Sequence, residues 1–313
     1  MERRHEKYER LIARCQPLPP PPTAVAHPCD ESSLRAAVEA ARAGLIAPIL
    51  VGPRARIESV AHKHGLDVAG FEIVDAAHSE AAAAAAVALV RAGRAEALMK
   101  GSLHTDELMG AVVRRETGLR TARRISHCFL MDVPGHAQAL IITDAAINIA
   151  PSLQEKVDIV QNAIDLAHDL GVTDVRVAIL SAMETVHPDV PSTIEAAALC
   201  KMADRGQIRG AVLDGPLALD NAISLEAAQI KKIDSPVAGR ANVLVVPDLE
   251  AGNMLAKSLT FLAGADAAGI VLGARVPIIL TSRADSVMSR LASCAVASLL
   301  AHARRADLAR GVP

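Results

Sequence analysis

Short aliphatic runs alternate with helix-forming stretches along most of this 313-residue chain. The clearest run, residues 243–246, is continuously apolar and stops at Pro247-Asp248. Runs of this kind are typical of parallel strands buried on both faces, and strands that alternate with helices form parallel, doubly wound sheets. The pattern therefore predicts an α/β fold. In such folds ligands bind where the strands end, so the residues that follow each strand deserve most weight.

The strand pattern runs in two series, with a restart near residue 126. Predicted strands lie at residues 23–28, 48–52, 71–74, 97–101, 128–133, 137–143, 175–180, 208–213, 243–246 and 276–281. We expect Gly252-Asn253 to open a helix over 254–263 and the last helix to span 285–302. Because the final strand and helix can rejoin the first series, the predicted domains are 1–126 with 270–313, and 127–269.

Composition narrows the function classes. The chain has one Tyr, three Phe and no Trp, although 51% of its residues are apolar, so its core must be aliphatic. So few aromatic rings argue against recognition of nucleic acid by base stacking. A formal net charge of −2 argues against a nucleic-acid or membrane-surface partner as well. We therefore expect a small-molecule ligand, with any phosphate group met by local Arg, Lys or backbone amides.

The cysteines indicate a reducing compartment. There are five, widely spaced, and none forms a CxxC pair. This pattern suggests neither a zinc site nor a disulfide framework. The charged N-terminus is not a signal peptide, and no apolar stretch reaches the roughly 20 residues of a membrane span. We predict a cytoplasmic protein with reduced thiols.

Polar residues follow most of the predicted strands, and each has a structural alternative. Lys100-Gly101 offers a cation and close backbone approach to a ligand, or an ordinary turn. Asp144 and Asn148, Asp214, Asp248 and Asn253 offer acid and amide groups at strand ends. A helix cap or a loop hydrogen bond explains such residues equally well.

The stretch 276–285 carries a denser set of groups. Its strand delivers Ser282, Arg283 and Asp285 to the start of a helix. A helix N-terminus and a guanidinium can together hold an anion such as phosphate. The alternative is that Asp285 or Ser282 only caps the helix and that Arg283 is a surface residue.

Five arginines lie within the eleven residues 114–124, among them Arg120 and Arg124. They form either a solvated surface or a phosphate pocket. His104 and His127 are the histidines nearest these candidate segments. The sequence contains no HExxH, GxSxG, Walker-type or early GxGxxG motif, which argues against metalloproteases, serine hydrolases, NTPases and standard Rossmann dehydrogenases.

Several longer motifs, taken in order, resemble the phosphate acetyl/butyryltransferase family. The likeness covers residues 23–303. It is carried by Met99-Lys-Gly101, Gly118-Leu-Arg-Thr121, Ile142-Thr-Asp-Ala-Ala-Ile-Asn148, Asp214-Gly-Pro-Leu-Ala-Leu-Asp220, Ser235-Pro-Val-Ala-Gly239, Val246-Pro-Asp-Leu-Glu-Ala-Gly-Asn253 and Leu280-Thr-Ser-Arg-Ala-Asp-Ser286.

The resemblance implies two α/β/α domains around a cleft, similar to the isocitrate/isopropylmalate dehydrogenase fold, and a homodimer. It implies reversible transfer of an acetyl or butyryl group between CoA and inorganic phosphate, with acyl-CoA as a substrate, no tightly bound cofactor and no metal. Ser282-Arg283 matches the serine–arginine pair of the family's active site. In that role Arg283 holds phosphate and stabilises the oxyanion, and Ser282 orients the thiol or the carbonyl.

Two departures from the family pattern leave details open. The acetyl branch has a carboxylate, the presumed base, seven residues after the serine, where this chain has Ser289; Asp285 is a possible substitute. That branch also has an arginine after His104, where this chain reads Leu108-Met109-Gly110, and Arg114, Arg120 and Arg124 are the candidate substitutes for it. Both departures resemble the butyryl side, so acyl length stays open.

Two other classes compete with a phosphate acyltransferase. A metal-dependent dehydrogenase on the similar fold would use Asp144, Asp214 and Asp248 as its best-placed carboxylates. A non-catalytic acyl-CoA-binding protein that has lost its base is suggested by Ser289.

Overall fold

The computed structural model describes residues 5–281 and 285–310. The chain divides into two compact units: a first unit, formed by residues 5–123 with 268–310, and a second unit, formed by 124–267. The sequence-based domain bounds, 1–126 with 270–313 and 127–269, stay a prediction. None of the described helices is both long enough and apolar enough to cross a membrane.

The first unit carries a largely parallel sheet with helices. Its strands are β1 Pro22–Ala26, β2 Ala47–Gly52, β3 Glu72–Asp75, β4 Ala97–Lys100, β10 Asp266–Leu272 and β11 Ile278–Ile279, in the order β3-β2-β1-β4-β11-β10. The boundary between the units, before residue 268, falls within β10, two residues after its start. Only the β10–β11 pair is antiparallel among these pairings. The helices are α1 Glu6–Cys15, α2 Glu31–Arg42, α3 Arg54–His64, α4 Ser79–Arg91, α5 Thr105–Val112 and α11 Val287–Ala309.

Helix α4 shows how an almost ring-free sequence builds this unit. Its buried face is made of small and aliphatic side chains, including Ala82, Ala83, Ala86 and Val87. Alanine favours helix formation, and its small side chain lets the helix lie close to the sheet, against β1 and β2. The alanine-rich stretch is therefore a helix that packs in the core, not a linker.

Strand β10 is absent from the predicted strands, none of which lies between residues 246 and 276. The structure pairs Ile270 with Ile279 and Val271 with Ile278 in antiparallel register. A glycine inside a strand weakens the sequence signal, but here Gly269 takes part in the ladder, since its carbonyl accepts from the N–H of Leu280 at 3.4 Å.

The strands of the second unit pair with one another in a mixed arrangement. Its strands are β5 Ser126–Asp132, β6 Leu140–Thr143, β7 Arg176–Leu180, β8 Val212–Leu217 and β9 Val243–Val245, in the order β5-β6-β9-β7-β8. Only the hairpin pair β5–β6 is antiparallel. The helices are α6 Leu153–Asp169, α7 Pro191–Asp204, α8 Leu219–Ile223, α9 Leu225–Ile230 and α10 Leu249–Leu262.

Several predicted element bounds differ from the structure, and three of the differences have a clear local reason. Helix α10 begins at Leu249, not after Asn253, because the carboxylate of Asp248 accepts from the N–H of Ala251 at 2.8 Å and caps the first turn. Asn253 therefore lies inside the helix. Strand β8 runs through Asp214, which is a strand residue and not part of a strand exit. Helix α11 is capped by Ser286, whose hydroxyl accepts from the N–H of Ser289, and not by Asp285.

Candidate active site

The carboxyl ends of β1, β4 and β11 lie side by side in the first unit. Strand β4 pairs in parallel with β1 on one side and with β11 on the other. This arrangement brings together Lys100, the last residue of β4, with Gly101, His27 and Thr281, which lie just after the three strands. Ser282 and Arg283 follow Thr281 in the sequence but lie outside the described residues, while Asp285 is described and half-buried.

Gly101 lets the ends of β1 and β4 approach each other closely. A Cβ at this position would lie 2.3 Å from the carbonyl oxygen of Ala26 and 2.6 Å from that of His27. No side chain fits there without a backbone shift, so the residue must be glycine. Its N–H donates to the Ala26 carbonyl at 2.9 Å, which continues the strand ladder to the edge of the sheet.

Lys100 and His104 flank this glycine in the sequence. Lys100 is half-buried, with its Nζ 3.5 Å from the Gly101 carbonyl oxygen. His104 is exposed and stands at the N-cap of α5, where its N–H donates to the Glu107 carboxylate at 2.7 Å. The pKa of Glu107 is lowered by hydrogen bonds from the Ser79 hydroxyl and the His104 N–H. Glu107 thus stays ionised and fixes the start of α5.

Arg120 is exposed, and its backbone is anchored within the first unit. It forms a bridge with Ala274, and the adjacent Thr121 hydroxyl donates to the Gly273 carbonyl at 2.7 Å. Arg114 and Arg115 are exposed as well. The structure therefore holds the main chain at Arg120 firmly while leaving its guanidinium at the surface.

Asp144 is the centre of a buried hydrogen-bond network in the second unit. One carboxylate oxygen accepts from the N–H groups of Ala146 and Ile147, both at 2.9 Å. The other accepts from the N–H of His127 at 3.1 Å and from the amide of Asn148 at 2.6 Å. Four donors satisfy this carboxylate, which is 3% exposed. It acts as a rigid anchor for the loop that follows β6.

Asn148 connects that anchor to Arg124. Besides Asp144, its amide donates to the Ile125 carbonyl at 2.9 Å, and its side-chain oxygen accepts from Nε of Arg124 at 2.8 Å. Arg124 also pairs through Nη1 with Glu155 at 2.6 Å. Glu155 is in turn held by the N–H of Ser152, which, with the Ser152 hydroxyl, lowers the pKa of Glu155. The guanidinium of Arg124 is thus oriented by two contacts, through Nε to Asn148 and through Nη1 to Glu155.

His127 lies beside this network. It is 1% exposed and packs edge-on against Phe129, with ring centroids 4.4 Å apart. Burial lowers the pKa of His127 to about 4, and the Asp144 carboxylate opposes this effect. Its Nδ1 is buried without a hydrogen-bond partner among the described residues. The side chain is therefore a neutral core group and not an exposed ligand-binding group.

Asp248, Asn253 and Asp214 occupy different surroundings in the second unit. Asp248 caps α10, and the Asn253 amide lies 3.4 Å from the Ala145 carbonyl oxygen, on the loop that Asp144 anchors. Between them, Gly252 permits close packing of α10, since a Cβ there would lie 2.8 Å from the Asp144 carbonyl oxygen. Asp214 is in β8, at the end of the strand order, and accepts from the N–H of Gly215.

Two residues of these networks were not predicted as site residues. Ser152 and Glu155 have the spacing of a helix capping box. This local pattern does not predict the ion pair between Glu155 and Arg124. His27 was read only as the end of a strand. Within the described residues, no group of three or more His, Cys, Asp or Glu side chains is arranged to hold a metal ion.

An α/β chain that presents glycine, lysine, arginine and acid groups after its strands has the architecture of an enzyme that binds small anionic substrates. Comparison with known proteins narrows this class. The family model described as "Phosphate acetyl/butaryl transferase" matches residues 79–298. The chain belongs to this family.

The similarity extends over nearly the whole chain. A phosphate acetyltransferase of Rhizobium meliloti is 69% identical over 300 residues, covering 96% of this chain and 95% of that protein. A phosphate butyryltransferase of Clostridium beijerinckii is 41% identical over 296 residues, covering 95% and 98%. The crystal structure of a branched-chain phosphotransacylase from Enterococcus faecalis V583 matches with a TM-score of 0.78 at 31% identity, covering 90% and 99%. These matches confirm the predicted family and favour an acyltransferase over the two competing classes.

Proposed function

We propose that this protein transfers an acetyl group reversibly between CoA and inorganic phosphate, giving acetyl phosphate. The observation that carries the proposal is the 69% identity to a protein named phosphate acetyltransferase, compared with 41% to one named phosphate butyryltransferase. Acetyl is therefore the preferred acyl group, although the two sequence departures at Ser289 and Leu108-Met109-Gly110 resemble the butyryl side.

The proposed chemistry assigns roles to two sets of residues. Arg283 holds phosphate and stabilises the oxyanion of the tetrahedral intermediate, and Ser282 orients the thiol or the carbonyl. Asp285 remains a candidate base. Residues proposed to bind substrate are Lys100, Gly101, His104, Arg120, Arg124, Asp144, Asn148, Asp214, Asp248 and Asn253.

The structure supports these binding roles to different degrees. Lys100 and Gly101 lie at the carboxyl end of β4, beside the strand that leads in sequence to Ser282-Arg283. Ligands of α/β folds bind at this end of the strands, so a phosphate-bearing ligand is expected there. Arg124 is an oriented cation, positioned by Asn148 and Glu155. Asp144, Asn148 and Asp248 act through the groups they hold, since their polar atoms bond to the protein itself. Asp214, inside β8, has the weakest support.

The rate of acyl phosphate formation tests the function. Purified protein with phosphate and acetyl-, propionyl- or butyryl-CoA is assayed by trapping the acyl phosphate with hydroxylamine. We expect the highest kcat/KM with acetyl-CoA. Turnover with none of the three would refute the proposal. A higher kcat/KM with butyryl-CoA would leave acyl transfer intact and overturn the acetyl preference.

A variant tests the role of Arg283. Arg283→Ala is expected to lose about 10²-fold or more in kcat, the scale of removing one oxyanion donor. Arg42→Ala, at an exposed arginine in the last turn of α2, is the matched control and should keep the wild-type rate. A near wild-type kcat for Arg283→Ala would remove this residue from the mechanism.

We also propose that the protein is a homodimer in the cytoplasm. Met254, Phe261 and Leu262 on α10 are 63%, 76% and 87% exposed, and their spacing puts them on one side of the helix. Large apolar groups in such a patch favour association with a second copy of the chain. Light scattering on the wild type and on Phe261→Ser tests this: a wild-type monomer would overturn it. The finer fold assignment, to the isocitrate/isopropylmalate dehydrogenase type, likewise stays a proposal.

A further inference from the structure

His27 directly follows strand β1 in a backbone conformation that is rare for residues other than glycine. Its φ is +54°, in the left-handed region. A side chain in this region costs free energy and persists only where surrounding contacts fix it. The contacts here are tight, because the His27 N–H donates to the Val51 carbonyl at 2.7 Å and the His27 carbonyl accepts from the N–H of Ser102 at 2.9 Å. The fold therefore holds the His27 imidazole in a specified place.

The hydrogen bonds around Ser102 determine which ring nitrogen of His27 carries the proton. The Ser102 hydroxyl oxygen lies 2.7 Å from the His27 carbonyl oxygen and 3.1 Å from Nδ1 of the ring. A carbonyl oxygen only accepts, so the single hydroxyl proton is assigned to that short contact. Nδ1 must then donate its own proton to the hydroxyl oxygen. This tautomer leaves Nε2 with a lone pair, ready to accept a proton.

The surroundings keep the ring neutral. Burial lowers the pKa of His27 below its ordinary value, and the Arg56 cation on α3 lowers it further. Two carboxylates oppose this effect, Glu107 on α5 and Asp30 at the N-cap of α2. The ring is 8% exposed, and Nε2 has no hydrogen-bond partner within residues 5–281 and 285–310. His27 is thus a neutral base, and its Nε2 is available to accept a proton.

The position of His27 fits the acyl-transfer chemistry. It lies two strands from β11, in the order β1-β4-β11, and Lys100-Gly101 occupies the end of the strand between them. Neighbouring strands are about 4.8 Å apart, so the ends of β1 and β11 are separated by roughly 10 Å. A thioester group bound over Gly101 would lie between His27, after β1, and Thr281, after β11.

We propose that His27 is the catalytic residue that takes the proton of the CoA thiol, through Nε2, with Ser102 as the positioning residue that fixes its tautomer. This inference rests on the proposed function and puts His27, in place of Asp285, in the role of the base.

The proton and electron balance is complete. In the direction from acyl phosphate, Nε2 accepts the thiol proton, and the sulfur attacks the acyl carbon. The C–S bond forms, the bond between the acyl carbon and the bridging oxygen of the phosphate group breaks, and its electron pair stays on that oxygen. The imidazolium then returns its proton to that oxygen, so that hydrogen phosphate leaves and His27 is neutral again. In the reverse direction the same ring takes the proton of phosphate and delivers it to the thiolate.

His27→Asn separates the catalytic role from a structural one. Asparagine tolerates a positive φ, and its amide can still donate to Ser102, but it has no basic nitrogen. We expect kcat with acetyl phosphate and CoA to fall about 10²-fold or more, the scale of a general base, with KM changed little. His62→Asn, at an exposed histidine on α3, is the control and should retain wild-type kcat. A folded His27→Asn protein within threefold of the wild-type kcat would overturn the proposal.

The pH profile of the wild type gives a second measurement that needs no variant. Neutral His27 is required, so kcat/KM should be level near pH 7 and fall as the pH drops below about 6.5. The direction from acetyl phosphate is used because inorganic phosphate itself titrates near this range. His27→Asn should lose this acidic limb. A wild-type kcat/KM that stays level down to the acid limit of the folded protein would overturn the role of His27 even if the variant does not fold. Absence of any wild-type turnover would instead refute the proposed function.

Discussion

The amide of Asn148 joins the guanidinium of Arg124 to the carboxylate of Asp144, with Nε–Oδ1 and Nδ2–Oδ2 distances of 2.8 Å and 2.6 Å. Asp144 is held by the backbone of its own loop, so the half-exposed side chain of Arg124 is positioned by hydrogen bonds that lead to a buried carboxylate. Such networks fix a side chain more firmly than a surface ion pair does, because unmaking one member leaves the others unsatisfied.

Replacement of Asn148 by Ala should loosen Arg124 and destabilise the fold. The variant leaves the Ile125 carbonyl and one Asp144 oxygen without a side-chain donor, at a cost of about 1–3 kcal/mol in the free energy of unfolding. If Arg124 binds phosphate, KM for phosphate should rise more than kcat falls. Urea unfolding and steady-state kinetics measure the two effects. A variant with unchanged stability would contradict the structural role of the network.

Replacement of Gly101 by Ala tests the close approach of β1 and β4. The new methyl group would meet two backbone carbonyl oxygens, which cannot move independently, so we expect a loss of about 1–3 kcal/mol. Gly110→Ala is the matched control: it lies in α5, and a Cβ there would have nothing within 4 Å. This control should be neutral or more stable by up to about 1 kcal/mol. Equal thermal stability of the two variants would contradict this account.

Two substitutions at Asp248 separate capping from substrate binding. Asn is as good an N-cap as Asp, whereas Ala cannot accept the Ala251 N–H; Asp248→Ala should therefore lose about 1 kcal/mol of stability and Asp248→Asn almost none. If the carboxylate only caps α10, Asp248→Asn should keep the wild-type KM for CoA and phosphate. A raised KM in this variant would show that the charge of Asp248 also acts on the substrate.

The buried imidazole of His127 should make the protein acid-sensitive. Its pKa is lowered from an ordinary 6.5 to about 4, so between these values the unfolded chain binds a proton that the folded chain does not. The free energy of unfolding therefore carries no penalty from His127 above pH 6.5, and it decreases as the pH falls from 6.5 toward 4. His27, whose pKa is also lowered, acts in the same direction. Glu107 and Glu155, with pKa values lowered from 4.5, act mainly below that pH.

Substitution isolates the share of His127. His127→Phe keeps an aromatic ring beside Phe129 but removes the titration, so the slope of unfolding free energy between pH 4.5 and 6.5 should decrease. His62→Gln, at an exposed position, should leave the slope unchanged. Denaturant titrations at several pH values measure both. An unaltered slope in His127→Phe would show that the imidazole is not a neutral core group.

The sequence pattern predicted the strands that carry long aliphatic runs, because such runs are buried wherever they occur. It did not predict β10, whose Gly269 interrupts the apolar run, or the extension of β8 through Asp214. It placed Asp144 and Asp248 after strands correctly, yet periodicity cannot show that the backbone of each loop already satisfies these carboxylates. The role of His27 was hidden for a similar reason, since its positive φ and its bond to Ser102 arise from contacts between residues 75 apart in sequence.

The docking of helix α1 gives the protein a built-in spectroscopic reporter. The only tyrosine, Tyr8, is fully buried in α1, the Cys15 thiol at the end of this helix bonds to the Ala295 carbonyl of α11, and the chain has no tryptophan. Intrinsic emission excited near 280 nm therefore reads one site in the whole molecule. Detachment of α1 can be followed separately from global unfolding, which circular dichroism records, and a single introduced tryptophan would be seen against an empty background.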